Sequence, residues 1–122
     1  MKLRILYRGH VSGKWVPPWA LEADTGDVMF ATRDPHRAGK QNPRVQRIEI
    51  DHINSKVLRE GDKPFERIAR ACSDCRTPRE RTDRVLAIAE RDGWDVVWFR
   101  SEDIGVAIVN PRVIVDEGWI TV

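Results

Sequence analysis

The chain has 122 residues, enough for one domain with one core and too few for two. With 41% hydrophobic and 33% charged residues it reads as a globular chain with a well-solvated surface, which excludes disordered and fibrous classes. A formal charge of +2, from 21 basic and 19 acidic residues, is too balanced to argue for a polyanion partner, which would need a local patch.

Leu3, Ile5 and Tyr7 alternate with Lys2, Arg4, Leu6 and Arg8, the period of a strand whose core face carries the odd positions. Pro17-Pro18 breaks the chain, so residues 9–26 read as loop with a short turn around Trp19 to Ala23. Gly26-Asp27 is a turn signal before a second strand, Val28 to Thr32. Asp34 and Pro35 read as the cap and first residue of a short helix that Gly39 ends. Ile48 and Ile50 alternate with Arg47, Glu49 and Asp51, a third strand with one wet face.

The middle is helical. Phe65, Ile68, Ala69 and Cys72 make one apolar stripe, and Thr77-Pro78-Arg79-Glu80 is a capping box for a helix carrying Val85, Ile88 and Ala89. Gly93 is placed to end that helix. Val96 to Phe99, Val106 to Val109 and Val113 to Val115 are short continuous apolar runs, predicted as strands buried on both faces. Strands before and after a helical middle, without regular alternation, predict an α+β fold over a single domain, residues 1–122.

No apolar run approaches the roughly 20 residues that span a bilayer, and Arg8 cuts the N-terminal apolar stretch short of a signal peptide. A cytoplasmic location without membrane contact is expected. Two cysteines cannot staple a chain of this length, which fits a reducing compartment. Cys72 and Cys75 lack the second pair of a structural zinc site, and Cys72 also fits the apolar stripe, so a packed thiol is the simpler account. No metal is expected.

Four places could carry chemistry. Arg8 ends a strand before Gly9, where a backbone can approach a ligand and a guanidinium can fork onto phosphate or ribose; taken alone, it is more simply read as continuing a polar face with Lys2 and Arg4. Thr32 ends a strand just before a helix start, a place that suits a phosphate, though Thr32 and Asp34 could merely organise the turn. Ser101-Glu102-Asp103 is a polar hairpin between apolar strands, either a simple tip or a source of a carboxylate for a ribose hydroxyl or an oxocarbenium-like state. Of the five tryptophans, Trp98 reads as core, while Trp15 and Trp19 flank the two prolines and could either stack on a ligand ring or pin the loop. The arginines at 67, 70, 76, 79, 81 and 84 alternate with acids, the pattern of a solvated, paired helix surface.

Together these motifs resemble the Arg-Ser-Glu class of ADP-ribosyltransferases. Leu6-Tyr7-Arg8-Gly9 looks like the arginine motif of that family's first strand, and Phe30-Ala31-Thr32 sits where the family carries Ser-Thr-Ser. Gly93-Trp94-Asp95-Val96-Val97, followed by Val106 to Ile114, is similar to the GYDGV … VVFNPSQI ending of small bacterial and phage members, among them toxins and anti-CRISPR transferases. The resemblance implies split antiparallel sheets flanked by a few helices, and NAD as substrate. It implies that Arg8, with Gly9 beside it, contacts the NAD phosphates or ribose and that Thr32 shapes the nicotinamide-ribose pocket; Trp19 is the candidate for stacking. The implied partner is a macromolecular acceptor, a protein before a nucleic acid. The chain departs from the pattern at the catalytic acid. Counting back from Pro111, that glutamate falls near Gly105, and the nearest acids are Asp103 and Glu102. Either these supply the acid, or the domain binds without transferring ADP-ribose and acts by contact.

Overall fold

Residues 3–10, 17–20 and 28–122 are described by a computed structural model. Their strands sort into two sheets. The first is three-stranded and antiparallel, in the order β1 (Leu3–Arg8), β3 (Arg44–Asp51), β7 (Ile114–Thr121). The second is four-stranded, in the order β2 (Met29–Ala31), β6 (Val106–Ile108), β5 (Val96–Trp98), β4 (Val57–Arg59). Among the described residues three helices accompany them: α1 (Pro35–Ala38), α2 (Lys63–Ala71) and α3 (Pro78–Arg91). The α+β class is as expected.

A chain expected to fill one core fills two, and strand alternation explains how. Phe30, Leu58, Val97 and Ala107 point to one side of the four-stranded sheet, into a cluster with Phe65, Ile68, Val85 and Leu86 from α2 and α3. Their neighbours Ala31, Val96, Trp98, Val106 and Ile108 point to the other side, where they meet Leu6, Ile48 and Ile50 of the three-stranded sheet. The central strands are therefore buried on both faces, which is why they read as unbroken apolar runs rather than alternating ones. The layers are α2 and α3, the four-stranded sheet, and the three-stranded sheet, with α1 packed on the end of β1.

Four expectations need correction. The inward face of β1 is not Leu3-Ile5-Tyr7 but the even positions: Leu6 and Arg8 are buried, whereas Leu3 and Ile5 are 40% and 36% exposed. Register decides this. Leu6 and Arg4 oppose Ile48 and Ile50 on β3, while Leu3, Ile5 and Tyr7 oppose Asp51, Glu49 and Arg47. Arg8 is consequently not a solvated surface arginine.

The run from Val113 is also not a doubly buried strand. Val113 closes a 3-10 turn (Pro111–Val113), and β7 is an edge strand of the outer sheet, exposed along most of its length with Val115 at 48%. A further strand, β4, is present that the sequence pattern did not suggest. It runs parallel to β5, so the sheets are not wholly antiparallel. Parallel neighbours need a long crossover, and α2 and α3 supply it.

Helix ends follow the sequence closely. Asp34 accepts from the His36 amide at 2.9 Å and Pro35 opens α1. Thr77 accepts from the Glu80 amide at 3.1 Å, while the Glu80 carboxylate reaches back to the Arg76 amide at 3.2 Å rather than to Thr77 itself. Gly93 ends α3 at φ 81°, the left-handed conformation a C′ glycine supplies. Trp15 and the Gly26-Asp27 turn lie outside the described residues.

Candidate functional site

The two sheets meet at β1 and β2. Among the described residues a single antiparallel bridge joins them there: the Tyr7 amide donates to the Thr32 carbonyl at 2.8 Å and the Thr32 amide to the Tyr7 carbonyl at 2.7 Å. The buried polar side chains of the described residues are the two that flank this seam, Arg8 at 3% exposure and Thr32 at 2%. Charged and hydroxylic side chains are rarely so enclosed, because burial removes their hydration. Thr32 also works locally, its Oγ1 accepting from the Asp34 amide at 3.3 Å.

Gly9 has a reason of its own. A Cβ there would lie 2.0 Å from the Ala38 carbonyl oxygen, so α1 can pack onto the end of β1 only against a glycine. The close backbone approach at Gly9 is to this helix. Trp19 is 4% exposed within the helix-side core, and its Nε1–H donates to the Glu102 carbonyl at 3.1 Å. It pins the loop and the far hairpin to each other, and its ring is enclosed by protein.

Glu102 and Asp103 are exposed at the hairpin tip, and both face Arg37 of α1, at 2.8 Å and 3.4 Å. The hairpin is thus tied across to the helix that leans on Gly9. Gly105, where the resemblance places a catalytic glutamate, is buried at φ 81°, and a Cβ there would lie 2.3 Å from the Ala31 carbonyl oxygen. No side chain fits that position.

A second cluster was not anticipated. Trp98 is 9% exposed, and the guanidinium carbons of Arg4, Arg33 and Arg59 lie 5.2, 5.0 and 5.3 Å from its ring centroid. Arg4 comes from β1, Arg33 follows β2 and Arg59 ends β4, so both sheets contribute. Arg59 Nη2 meets His52 Nε2 at 2.9 Å, and the His52 ring stands edge-on to Trp98, 6.1 Å between centroids. A guanidinium only donates, so His52 Nε2 is the acceptor and its proton sits on Nδ1. The turn that presents His52 is closed by Asp51, whose carboxylate accepts from the Asn54 side chain at 2.8 Å and the Asn54 amide at 3.1 Å. Those bonds, the side-chain one foremost, hold the Asp51 carboxyl below the ordinary aspartate range. The missed signal is arginines at strand ends combined with the even-numbered face of β1. Reading Leu3-Ile5-Tyr7 as the core face hid it.

The two halves of the C-terminal motif do come together, as structure. The Asp95 carboxylate accepts from the Lys56 amide at 2.8 Å and Asn110 Nδ2 at 2.9 Å, while the Asp95 carbonyl takes the amides of Val109 and Asn110. Trp94, Asp95, Asn110 and Pro111 line a surface cleft of about 520 Å³ beside this knot. Cys72 is fully buried in the helix-side core, and burial pushes its thiol up, away from reactivity. No group of metal-ligating side chains occurs among the described residues. Of the six helical arginines, Arg84 is ion-paired among the described residues: it meets Asp74 at 2.5 Å and Glu80 at 3.9 Å, and Asp74 raises the Arg84 guanidinium further. Among the described residues no helix is long and apolar enough to cross a membrane.

No family model, curated protein or solved structure matches the chain.

Proposed function

We propose that this chain binds NAD at the seam between its two sheets, in the manner of an ADP-ribosyltransferase, with Arg8 on the phosphates or ribose and Thr32 beside the nicotinamide ribose. The observation that supports it is the coincidence of two independent selections. Of the residues nominated for NAD, Arg8 and Thr32 are the polar side chains that the described structure buries, one on each strand at the inter-sheet bridge. A guanidinium carries a planar fork of donors, and a phosphate is held most strongly where the dielectric is low. Two sheets meeting along one seam also suit the split-sheet architecture that the resemblance implies.

NAD would supply the chemistry: its nicotinamide leaves with the bonding pair of the glycosidic bond, and an acceptor nucleophile, on a macromolecule whose identity the loops set, takes the ribose carbon and gives up a proton. In this chain that proton falls to Glu102 or Asp103. A second reading, binding without transfer, is favoured by a specific observation. The glutamate position is Gly105, closed by the Ala31 carbonyl, and the nearby acids are engaged by Arg37.

Calorimetric titration with NAD tests the binding claim. Arg8→Lys and Thr32→Val keep the bulk of each side chain; Arg8→Lys is expected to weaken NAD by at least about tenfold, the scale of one charge-assisted hydrogen bond, and Thr32→Val by roughly threefold to tenfold, the scale of a neutral one. A folded wild-type chain that takes up no NAD at millimolar concentration would sink the reading. Nicotinamide release then separates the two versions. Release that falls in Glu102→Gln or Asp103→Asn identifies a transferase, and NAD binding with no release in the presence of acceptor-containing extract identifies the binder.

A further inference from the structure

We infer that Arg4, Arg33 and Arg59, gathered around Trp98, form a receptor for a compact, multiply charged phosphate, such as a pyrophosphate or terminal phosphate group. The inference stands apart from the NAD reading, because it rests on different residues and a different ligand probe.

The geometry is unusual in its charge. Each of the three guanidinium carbons lies within 5.3 Å of one point, so no two are farther apart than twice that distance. That is on the order of the Debye length, about 10 Å at 0.1 M salt, so solvent ions screen the mutual repulsion only in part. Among the described residues no carboxylate lies within ion-pair distance of any of the three; the acids nearby in sequence are used elsewhere, Glu49 by Arg47 and Glu60 by the Arg100 amide. A packed structural arginine normally brings its counter-charge with it, and among the described residues these do not.

Trp98 explains how they are held. An indole attracts guanidinium groups through its ring quadrupole without carrying a charge that neutralises them. It also consumes none of their five N–H donors. Arg59 spends a donor on His52 and Arg33 one on the Phe99 carbonyl at 3.4 Å, which fixes both heads and leaves most donors for a ligand. Trp98 is covered, so the site offers no open ring for a base or sugar to stack on. What remains is concentrated positive charge with forked donors, and the matching chemistry is concentrated negative charge with several oxygens.

The source of that phosphate is separable by experiment. With the full chain at 50 mM salt, inorganic pyrophosphate is expected to bind, to weaken as salt rises, and to shift the Trp98 indole N–H resonance, assigned through Trp98→Phe. The double variant Arg33→Gln/Arg59→Gln removes two charge-assisted partners and is expected to cost about a hundredfold, at tenfold for each. Arg8→Lys is expected to leave pyrophosphate affinity within twofold, so a failure of the NAD reading and a failure of this one leave different signatures. A 5′-phosphorylated dinucleotide should bind and its unphosphorylated counterpart should not. Undetectable pyrophosphate binding by the wild-type chain would overturn the inference. Undiminished binding by the double variant would do so too, as would equal binding of the two dinucleotides, which would mean a site for backbone phosphodiesters.

Discussion

Gly93 and Gly105 share the same backbone conformation, φ 81°, in different surroundings. A Cβ at Gly93 meets nothing within 4 Å, whereas one at Gly105 lies 2.3 Å from the Ala31 carbonyl oxygen. The pair isolates the effect of space from the effect of conformation. Gly93→Ala is expected to lose about 1 kcal/mol, the penalty for a non-glycine residue in the left-handed region. Gly105→Ala should lose that and a further 1–3 kcal/mol, roughly the overpacking cost of forcing β2 away from β6. Urea unfolding of the two variants measures the difference, and equal losses would show that Ala31 yields freely. The same contact bears on activity: Gly105→Glu restores the acid the motif leads one to expect, yet it should produce no gain in nicotinamide release, because the side chain has no room to enter.

At the scale of elements, what the sequence disclosed and what it hid have physical causes. The capped ends of α1 and α3 were legible because capping is a local contest between one side chain and one amide, as Asp34 and Thr77 show. The face of β1 was not, since both parities carry apolar residues and only pairing with β3 decides between them. The three residues of β4 were invisible for a related reason: such a strand exists only because β5 offers it a partner. Arg8 and Thr32 could be nominated by motif, but the arginines around Trp98 come from three distant segments and no local pattern unites them. The Gly93-Trp94-Asp95 and Asn110-Pro111 motifs lie between these extremes. They read as a signature, and in the fold they form a hydrogen-bonded knot linking the start of β5 to the end of β6. Asp95→Ala removes two bonds to an ionised acceptor and is expected to cost about 2–4 kcal/mol; Asn110→Ala, which also loses the bond from the Arg112 amide, about 1–2 kcal/mol. Because the two share a bond, a double-mutant cycle should show about 1 kcal/mol of coupling, and strict additivity would mean that the knot is not a unit.

For the molecule as a whole, the question is whether two cores behave as one. The four-stranded sheet belongs to both, since Val97 and Ala107 face the helices while Val96 and Trp98 face the other sheet. Loosening either side therefore loosens the strands that the other side packs on. Against that, among the described residues the backbone link between the sheets is the single bridge from Tyr7 to Thr32, so the outer layer is held mainly by side-chain packing. Leu6 lies wholly in the inter-sheet core and Leu86 in the helix-side core. Leu6→Ala and Leu86→Ala are each expected to cost about 2–5 kcal/mol, the range for a buried leucine that leaves a cavity. If the shared sheet dominates, each variant melts in one transition, with far-ultraviolet dichroism and tryptophan fluorescence changing together, and saturating NAD raises that one midpoint. A separate, earlier transition in Leu6→Ala would show instead that the three-stranded layer can part from the rest. The seam holding Arg8 and Thr32 would then open before the helix-side core does, and NAD should suppress that early transition selectively.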